Sequence, residues 1–397
     1  MKALEIIFWI FLFIVFYTYI GYGILLYFLV KIKESFVRKK KREINPEYLP
    51  EVTLFVAAYN EEEVVDEKMK NSLDLDYPAE KLKFVWITDG SNDSTNEKLK
   101  VYPEVTVLYQ PQRQGKTAAL NRGIKFVDTS IVVFTDANTM INREAIREIV
   151  RCLSNPNVGC VAGEKRIAVN ESDGAAAGGE GIYWKYESAL KALDSRLCTA
   201  VGAAGELFAI RKELFEEMES DTLLDDFILS LRIAQKGYKI EYCDQAFAIE
   251  NGSANMQEEE KRKIRISAGG LQSIWRLRAL LNPFRYGTLC FQYVSHRVLR
   301  WSVTPIALFL LFPVNVLLVA CYWPSAIYNT ILLLQLLFYL MGYWGYYLSK
   351  KSVKNKLLYI PYYFLFMNIN VIKGFFYLTK KRGSGVWDKA KRAKKYD

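Results

Sequence analysis

Four short polar clusters punctuate the chain between residues 57 and 138, three of them directly after a run of apolar, β-prone residues. Asn60 and Glu61 follow Val52–Ala58, Asp89-Gly90-Ser91-Asn92-Asp93 follows Phe84–Thr88, and Asp136-Ala137-Asn138 follows Ile131–Thr135. Gly115-Lys116 opens a helix-prone stretch that runs to Phe126. An acidic side chain beside a tight Asp-Gly turn suits ribose hydroxyls or a base N–H. Two oxygen-bearing side chains two residues apart suit a hard divalent cation. A lysine at a helix start adds a point charge to free backbone N–H groups, a setting for phosphate. Together they describe a site for a nucleotide diphosphate and a cation. No GxGxxG or GxxxxGK[ST] is present, which argues against a dinucleotide fold or a P-loop.

Two further clusters lie downstream. Asp225-Asp226 sets adjacent carboxylates at a helix start; they either cap that helix or, because like charges resist joint ionisation, keep one carboxyl basic enough to take a proton. Arg262 and Arg265 are three apart, so both can face one phosphate-rich pocket, although a basic helix on a membrane surface has the same pattern.

The elements that must hold these residues alternate strand and helix. Short continuous apolar strands between helices imply a parallel α/β sheet covered on both faces, with ligands outside the carboxyl ends of the strands. Asn60, Asp89, Asp93 and Asp136 sit at such ends. Asn60 is expected to cap a helix begun by Glu61-Glu62-Glu63.

Around this core the chain is apolar and basic. It has 397 residues, is 51% hydrophobic and carries a net charge of +10. Residues 6–30 and 301–349 hold no charged side chain, and about 20 apolar residues cross a bilayer. Net charge is +5 over 31–43, −15 over 44–260, +9 over 261–300 and +6 over 380–397. The positive charge therefore borders the membrane, and no nucleic-acid partner is expected. Basic flanks stay on the cytoplasmic side, which puts the central region in the cytoplasm of a multi-pass plasma (inner) membrane protein. The six cysteines have no CxxC spacing and are expected as reduced, buried thiols; the single histidine, His296, is expected as a polar anchor near the membrane boundary.

The ordered set Asn60-Glu61-Glu62, Asp89-Gly90-Ser91-Asn92-Asp93, Gly115-Lys116-Thr117-Ala118-Ala119-Leu120-Asn121, Asp136-Ala137-Asn138 and Asp225-Asp226 resembles the family 2 inverting glycosyltransferases, and within them the membrane-embedded branch similar to cellulose, hyaluronan and poly-N-acetylglucosamine synthases. The resemblance covers roughly residues 50–300. It implies an A-type, Rossmann-like nucleotide-sugar-binding fold, a mostly parallel sheet flanked by N- and C-terminal transmembrane helices. It implies a UDP-linked donor, Mg²⁺ or Mn²⁺ at Asp136 and Asn138, and Asp226 as the catalytic base. Ala58, Asn60, Glu61, Asp89, Gly90, Asp93, Lys116, Asp136, Arg262 and Arg265 would then bind the donor, and Gly205, Glu206 and Asp225 the acceptor. The chain departs from the family at three places. Asn138 replaces the second carboxylate of the metal motif, Asp225 stands where Glu is usual, and Arg262-Lys263-Ile264-Arg265-Ile266 stands where QxxRW is expected, without its Gln and Trp. Trp184 or Trp275 is then the candidate aromatic platform for an acceptor, with packing or an interfacial position the other reading of either.

The organisation expected is a transmembrane helix at 1–30, a basic linker at 31–49, the glycosyltransferase domain at 50–255 and a basic interfacial segment at 256–300. A membrane region at 301–378 follows, with two spans plus a third span or re-entrant hairpin, then a basic tail at 379–397. The acceptor is a glycan in surface polysaccharide synthesis or, alternatively, a polyprenyl- or lipid-linked sugar. A non-catalytic transporter or scaffold is the competing class. The sequence leaves the oligomeric state open.

Overall fold

The computed structural model describes residues 2–36, 48–168, 175–350 and 356–380. Most of the basic linker and the tail beyond Lys380 lie outside them.

Eight strands form one sheet: β1 (Val52–Ala58), β2 (Leu82–Asp89), β3 (Val105–Gln110), β4 (Ile131–Asp136), β5 (Met140–Ile141), β6 (Val158–Ala168), β7 (Leu207–Arg211) and β8 (Lys239–Asn251), in the order β3-β2-β1-β4-β7-β6-β8-β5. The first four pair in parallel. β7 runs antiparallel to β4 and β6, β8 runs parallel to β6, and β5 closes the edge antiparallel to β8. β1 and β4 are buried along nearly their whole length, as their unbroken apolar sequences require. Their register sets Ala58 beside Thr88 and Ala57 beside Asp136, so Asp89 and Asp136 emerge on one carboxyl edge.

Helices cover both faces of the sheet and continue beyond it: α1 (Lys2–Phe36), α2 (Val65–Leu73), α3 (Lys116–Gly123), α4 (Ala145–Leu153), α5 (Ala175–Leu197), α6 (Asp225–Gln235), α7 (Met256–Arg276), α8 (Pro283–Tyr293), α9 (Val303–Cys321), α10 (Ala326–Lys350) and α11 (Lys356–Lys380). On one face Phe55, Phe134 and Phe208 pack under α3 and α6; on the other, Leu54 and Val133 meet Ile146 and Ile149, which recur at helical spacing on α4.

Three local expectations change. The helix expected from Glu61 begins at Val65. Asn60 instead takes a left-handed φ of 51°, a conformation asparagine tolerates, and bonds Asn92 through both side-chain atoms, at 3.0 Å from the Asn92 N–H and 2.8 Å to its Oδ1. The stretch opening at Lys116 is α-helical to Gly123 and finishes as a 3₁₀ turn at Ile124–Phe126. Four cysteines are buried, whereas Cys198 and Cys321 are exposed.

Among the described residues three helices are long and apolar enough to cross a membrane: α1, α9 and α10. The segment expected as a further span or a hairpin is one continuous helix, α11. It lies so close to α7 that a Cβ on Gly374 would fall 2.7 Å from that of Ser267. At mid-length α1 carries a π-helical turn, Tyr17–Gly21, and a second one follows α8 at Val294–Val298. A polar band joins them: Tyr17 meets Ser295 at 2.8 Å, Thr18 meets Thr304 at 2.8 Å, and Tyr19 donates to Asn368 at 2.6 Å.

Candidate active site

A cavity of about 470 Å³ lies at the carboxyl edge of β4. Lys116, Asp136, Gly205, Asp225, Asp226 and Arg265 line one part, and Tyr19 of α1 with Phe364 and Met367 of α11 line another.

α6 begins at Asp225, so both acidic residues occupy its first turn, where the helix dipole favours negative charge. Its start is anchored from two directions. Thr117 of α3 donates to the Thr222 carbonyl at 3.0 Å, and the Ala203 N–H donates to Ser230 Oγ at 3.0 Å. Gly202 has φ +88° and stands where a Cβ would meet the Phe227 ring at 2.2 Å, so only glycine lets that ring pack beside the acidic pair. A Cβ on Gly205 would stand 3.3 Å from Lys116 Nζ and 3.5 Å from Asp226 Oδ2.

Asp226 Oδ1 accepts the Phe227 N–H at 2.8 Å. Burial and the neighbouring Asp225 charge push the Asp226 carboxyl up to about 7, even against the attraction of Lys116. Lys116 donates to Asp136 at 2.7 Å and lies 3.8 Å from Asp225. Burial opposes its charge, but Asp136 and Asp225 outweigh burial and hold the ammonium above the ordinary lysine range. A cationic group thus already sits between these carboxylates, and no group of three or more His, Cys, Asp or Glu placed to hold a metal ion occurs among the described residues. One carboxylate at the cavity wall, with Asn138 two residues on in the following turn, fits Mg²⁺ or Mn²⁺ held jointly with substrate phosphates rather than in an all-protein cage.

The other donor-side residues lie outside the cavity, at the ends of β1 and β2. Asp89 is buried and accepts the N–H groups of Gln114, at 3.0 and 3.1 Å, and of Gly115, at 2.6 Å. It therefore shapes the loop that presents Lys116. Gly90, at φ +72°, lets that loop approach, since a Cβ there would stand 2.8 Å from the Arg113 backbone. Asp93 accepts from Thr95 and from the Glu62 N–H; these bonds hold its carboxyl below the ordinary range although burial pulls the other way. Glu61 gives its N–H to Thr95 at 2.8 Å, and Ala58 is buried at the end of β1. This set couples the two loops to each other.

Glu206 and Arg262 line the cavity but belong to a buried ion cluster. Lys165 pairs with both Glu206 and Glu250, and Arg262 stands 3.7 Å from Glu206 and 3.5 Å from Glu259. Glu259 also accepts from Ser253 at 2.6 Å and from Tyr363 of α11 at 2.9 Å. Burial disfavours the Glu206 charge, yet Lys165 and Arg262 hold its carboxyl well below the ordinary range. Arg262 thus joins α7 to the sheet instead of lying on a membrane surface. Of the two tryptophans, Trp184 lines the cavity, whereas Trp275 is 71% exposed.

His296 is no boundary anchor. It is fully buried, with Nδ1 2.6 Å from Asp194 and Nε2 3.3 Å from Glu187, while Tyr22 of α1 also donates to Asp194. Lys191, Arg297 and Arg300 line the same cavity and were not singled out by the sequence. Arg297 and Arg300 stood out only as basic residues at the edge of an uncharged run, and Lys191 lies in a stretch of mixed charge that marks it in no way.

The family described as "Glycosyltransferase like family 2" matches residues 50–269. A poly-β-1,6-N-acetyl-D-glucosamine synthase of Staphylococcus aureus is 27% identical over 264 residues, 64% of this chain and 62% of the relative. A β-monoglucosyldiacylglycerol synthase of a Nostoc species is 27% identical over 256 residues, 60% of this chain and 53% of the relative. The chain therefore spans less than two thirds of the length of these curated relatives. The solved mannosyltransferase from Pyrobaculum calidifontis, in complex with GDP-Man and Mn²⁺, has the same fold. Its TM-score is 0.72 at 22% identity, over 96% of this chain and 100% of that one.

Proposed function

Because the chain belongs to glycosyltransferase family 2, we propose that it is an inverting glycosyltransferase moving a hexosyl or N-acetylhexosaminyl group from a nucleotide-diphosphate sugar, UDP-linked, to a hydroxyl of a surface glycan or its lipid-linked precursor. The observation that carries this reading is the Asp226 carboxyl, pushed up to about 7 in the cavity that Lys116 and Asp136 also line. A base with that pKa takes a hydroxyl proton near neutral pH.

Asp226 Oδ1 is engaged by the Phe227 N–H, so Oδ2 receives the proton. The acceptor oxygen attacks the anomeric carbon as the bond from that carbon to the diphosphate oxygen breaks on the opposite face, and the configuration inverts. The nucleotide diphosphate leaves with the bonding electrons, and Lys116 and Arg265 stabilise its charge. A divalent cation at Asp136, with Asn138 beside it, would supply further charge neutralisation for the diphosphate. Asp225 and Gly205 line the acceptor side. Asp89, Gly90, Asn60 and Glu61 act by fixing the loops around the nucleotide.

Transfer to a lipid-linked acceptor is favoured over growth of a free glycan by the apolar and aromatic wall, where Tyr19 of α1 and Tyr363, Phe364 and Met367 of α11 face the same space as Asp226. The catalytic domain faces the cytoplasm in this reading, in keeping with Lys31 and Lys33 at the end of α1. A panel of UDP- and GDP-sugars, with nucleotide release and labelled-product size as readouts, tests it. Release that persists undiminished in Asp226→Asn would remove the base assignment, and long free polymer would remove the lipid-linked acceptor.

A further inference from the structure

The cavity holds more positive charge than its own carboxylates neutralise. Lys191 projects from α5 with 4% exposure, and among the described residues its ammonium has neither a hydrogen bond nor an ion pair. Its contact is the Trp184 ring, centred 5.8 Å away. Arg300, 7% exposed, gives Nη1 to Glu187 at 2.9 Å, while its Nε and Nη2 are buried without a well-formed hydrogen bond among the described residues, the Tyr183 hydroxyl alone approaching the guanidinium loosely. Arg297 also pairs with Glu187 and lies over the rings of Phe227, at 5.8 Å, and Trp301, at 5.4 Å. One carboxylate is thus shared by two guanidinium groups, and Glu206 is held by Lys165. Buried cations left in this state are costly until an anion joins them. Two guanidinium N–H donors with an ammonium suit the oxygens of a phosphate.

The cavity wall beside them is of another kind. Tyr19 of α1 and Ile360, Phe364, Met367 and Val371 of α11 present aromatic and aliphatic surface. An occupant meeting both surfaces is anionic at one point and hydrocarbon beyond it.

We propose that Lys191 and Arg300, assisted by Arg297, form a subsite for the phosphate or diphosphate of a lipid-tailed acceptor whose hydrocarbon chain runs along α11. This rests on the glycosyl transfer proposed above and adds the group by which the acceptor is held. The phosphate is a handle and not the nucleophile. A phosphate oxygen needs no base and would meet the charge of Asp225, whereas Arg297 lies against Phe227, one residue beyond Asp226.

Calorimetric titration of the purified full chain with farnesyl diphosphate, farnesol, inorganic diphosphate and UDP tests the subsite, with unfolding midpoints recorded for each variant. Farnesyl diphosphate should bind more tightly than farnesol or inorganic diphosphate. Lys191→Met and Arg300→Lys should each weaken it about tenfold or more, as expected for loss of a buried charge-assisted bond, and Lys191→Arg should restore most of the affinity. Unchanged farnesyl diphosphate affinity in both weakening variants would overturn the subsite. Equal affinity for inorganic diphosphate would overturn the lipid assignment, and a parallel loss of UDP affinity would reassign the cluster to the donor. If no UDP- or GDP-sugar is turned over while farnesyl diphosphate still responds to Lys191→Met, the transfer reading fails and the subsite stands.

Discussion

Replacing Asp226 by asparagine should abolish transfer and, at the same time, make the protein more stable at neutral and alkaline pH. The carboxyl has climbed from an ordinary 3.8 to about 7 because burial and Asp225 disfavour its charge. The folded chain therefore retains a proton that the unfolded chain gives up above pH 4. Stability drawn from the neutral carboxyl is complete below about pH 4, is lost as the pH rises towards 7, and is flat above. Ionising the group in place costs on the order of 4 kcal/mol, a figure that already nets the Lys116 attraction against the Asp225 and Glu206 repulsion. Asparagine carries no charge at any pH and escapes this loss. At roughly 2–4 °C per kcal/mol for a domain of this size, the variant should gain on the order of 10 °C over the wild type between pH 4.5 and pH 8. Scanning fluorimetry across that range reads the difference, and nucleotide release from the donor sugar reads activity. A melting difference that does not change with pH, or transfer that does not rise through about pH 7 in the wild type, would refute the reasoning.

Gly90→Ala should cost about 1–3 kcal/mol in denaturant titration, because φ +72° and the Arg113 backbone 2.8 Å from any Cβ both oppose a side chain; an unchanged midpoint would contradict it. Lys165→Met should cost about 3–5 kcal/mol by leaving Glu206 and Glu250 with only the more distant Arg262, at 3.7 and 4.0 Å, and the exposed Lys98–Asp66 pair is a control of little consequence. EDTA should weaken donor-sugar binding by about tenfold or more in calorimetry, and Asp136→Ala should make binding insensitive to EDTA. Donor affinity indifferent to EDTA in the wild type would exclude the metal role of Asp136.

The sheet was largely legible because its signals are local. Apolar runs such as Val52–Ala58 and Ile131–Asp136 lie on consecutive residues, and the polar side chain at the end of each needs no knowledge of the rest of the chain. Asp136 and Asp226 were readable for the same reason, as was Lys116 at its helix start. The partners of those ends were not. Asn60 is a plausible helix cap until Asn92, 32 residues away, occupies its side chain. Arg262 has the spacing of a surface helix, and only the burial of Glu206, Glu250 and Glu259 around it turns it inward. Lys191, Arg297 and Arg300 converge from α5 and from the segment after α8, and no periodicity records that convergence. The family match ends at Gly269, before Arg297 and Arg300.

The polar chain from Tyr22 through Asp194 to His296 has a bearing on how the protein is made. Tyr22 is synthesised early, Asp194 comes 172 residues later, and His296 another 102 after that. Until the ribosome has passed His296, Asp194 lacks one of the groups that satisfy it in the interior, and Glu187 lacks His296, Arg297 and Arg300 together. Non-local contacts form only after the intervening chain has emerged. The sheet can collapse during elongation, but the wall of the cavity that contains Glu187 is completed as α9 begins to be made. However early the sheet forms, this wall of the cavity is therefore finished only once the chain as far as Arg300 has been made.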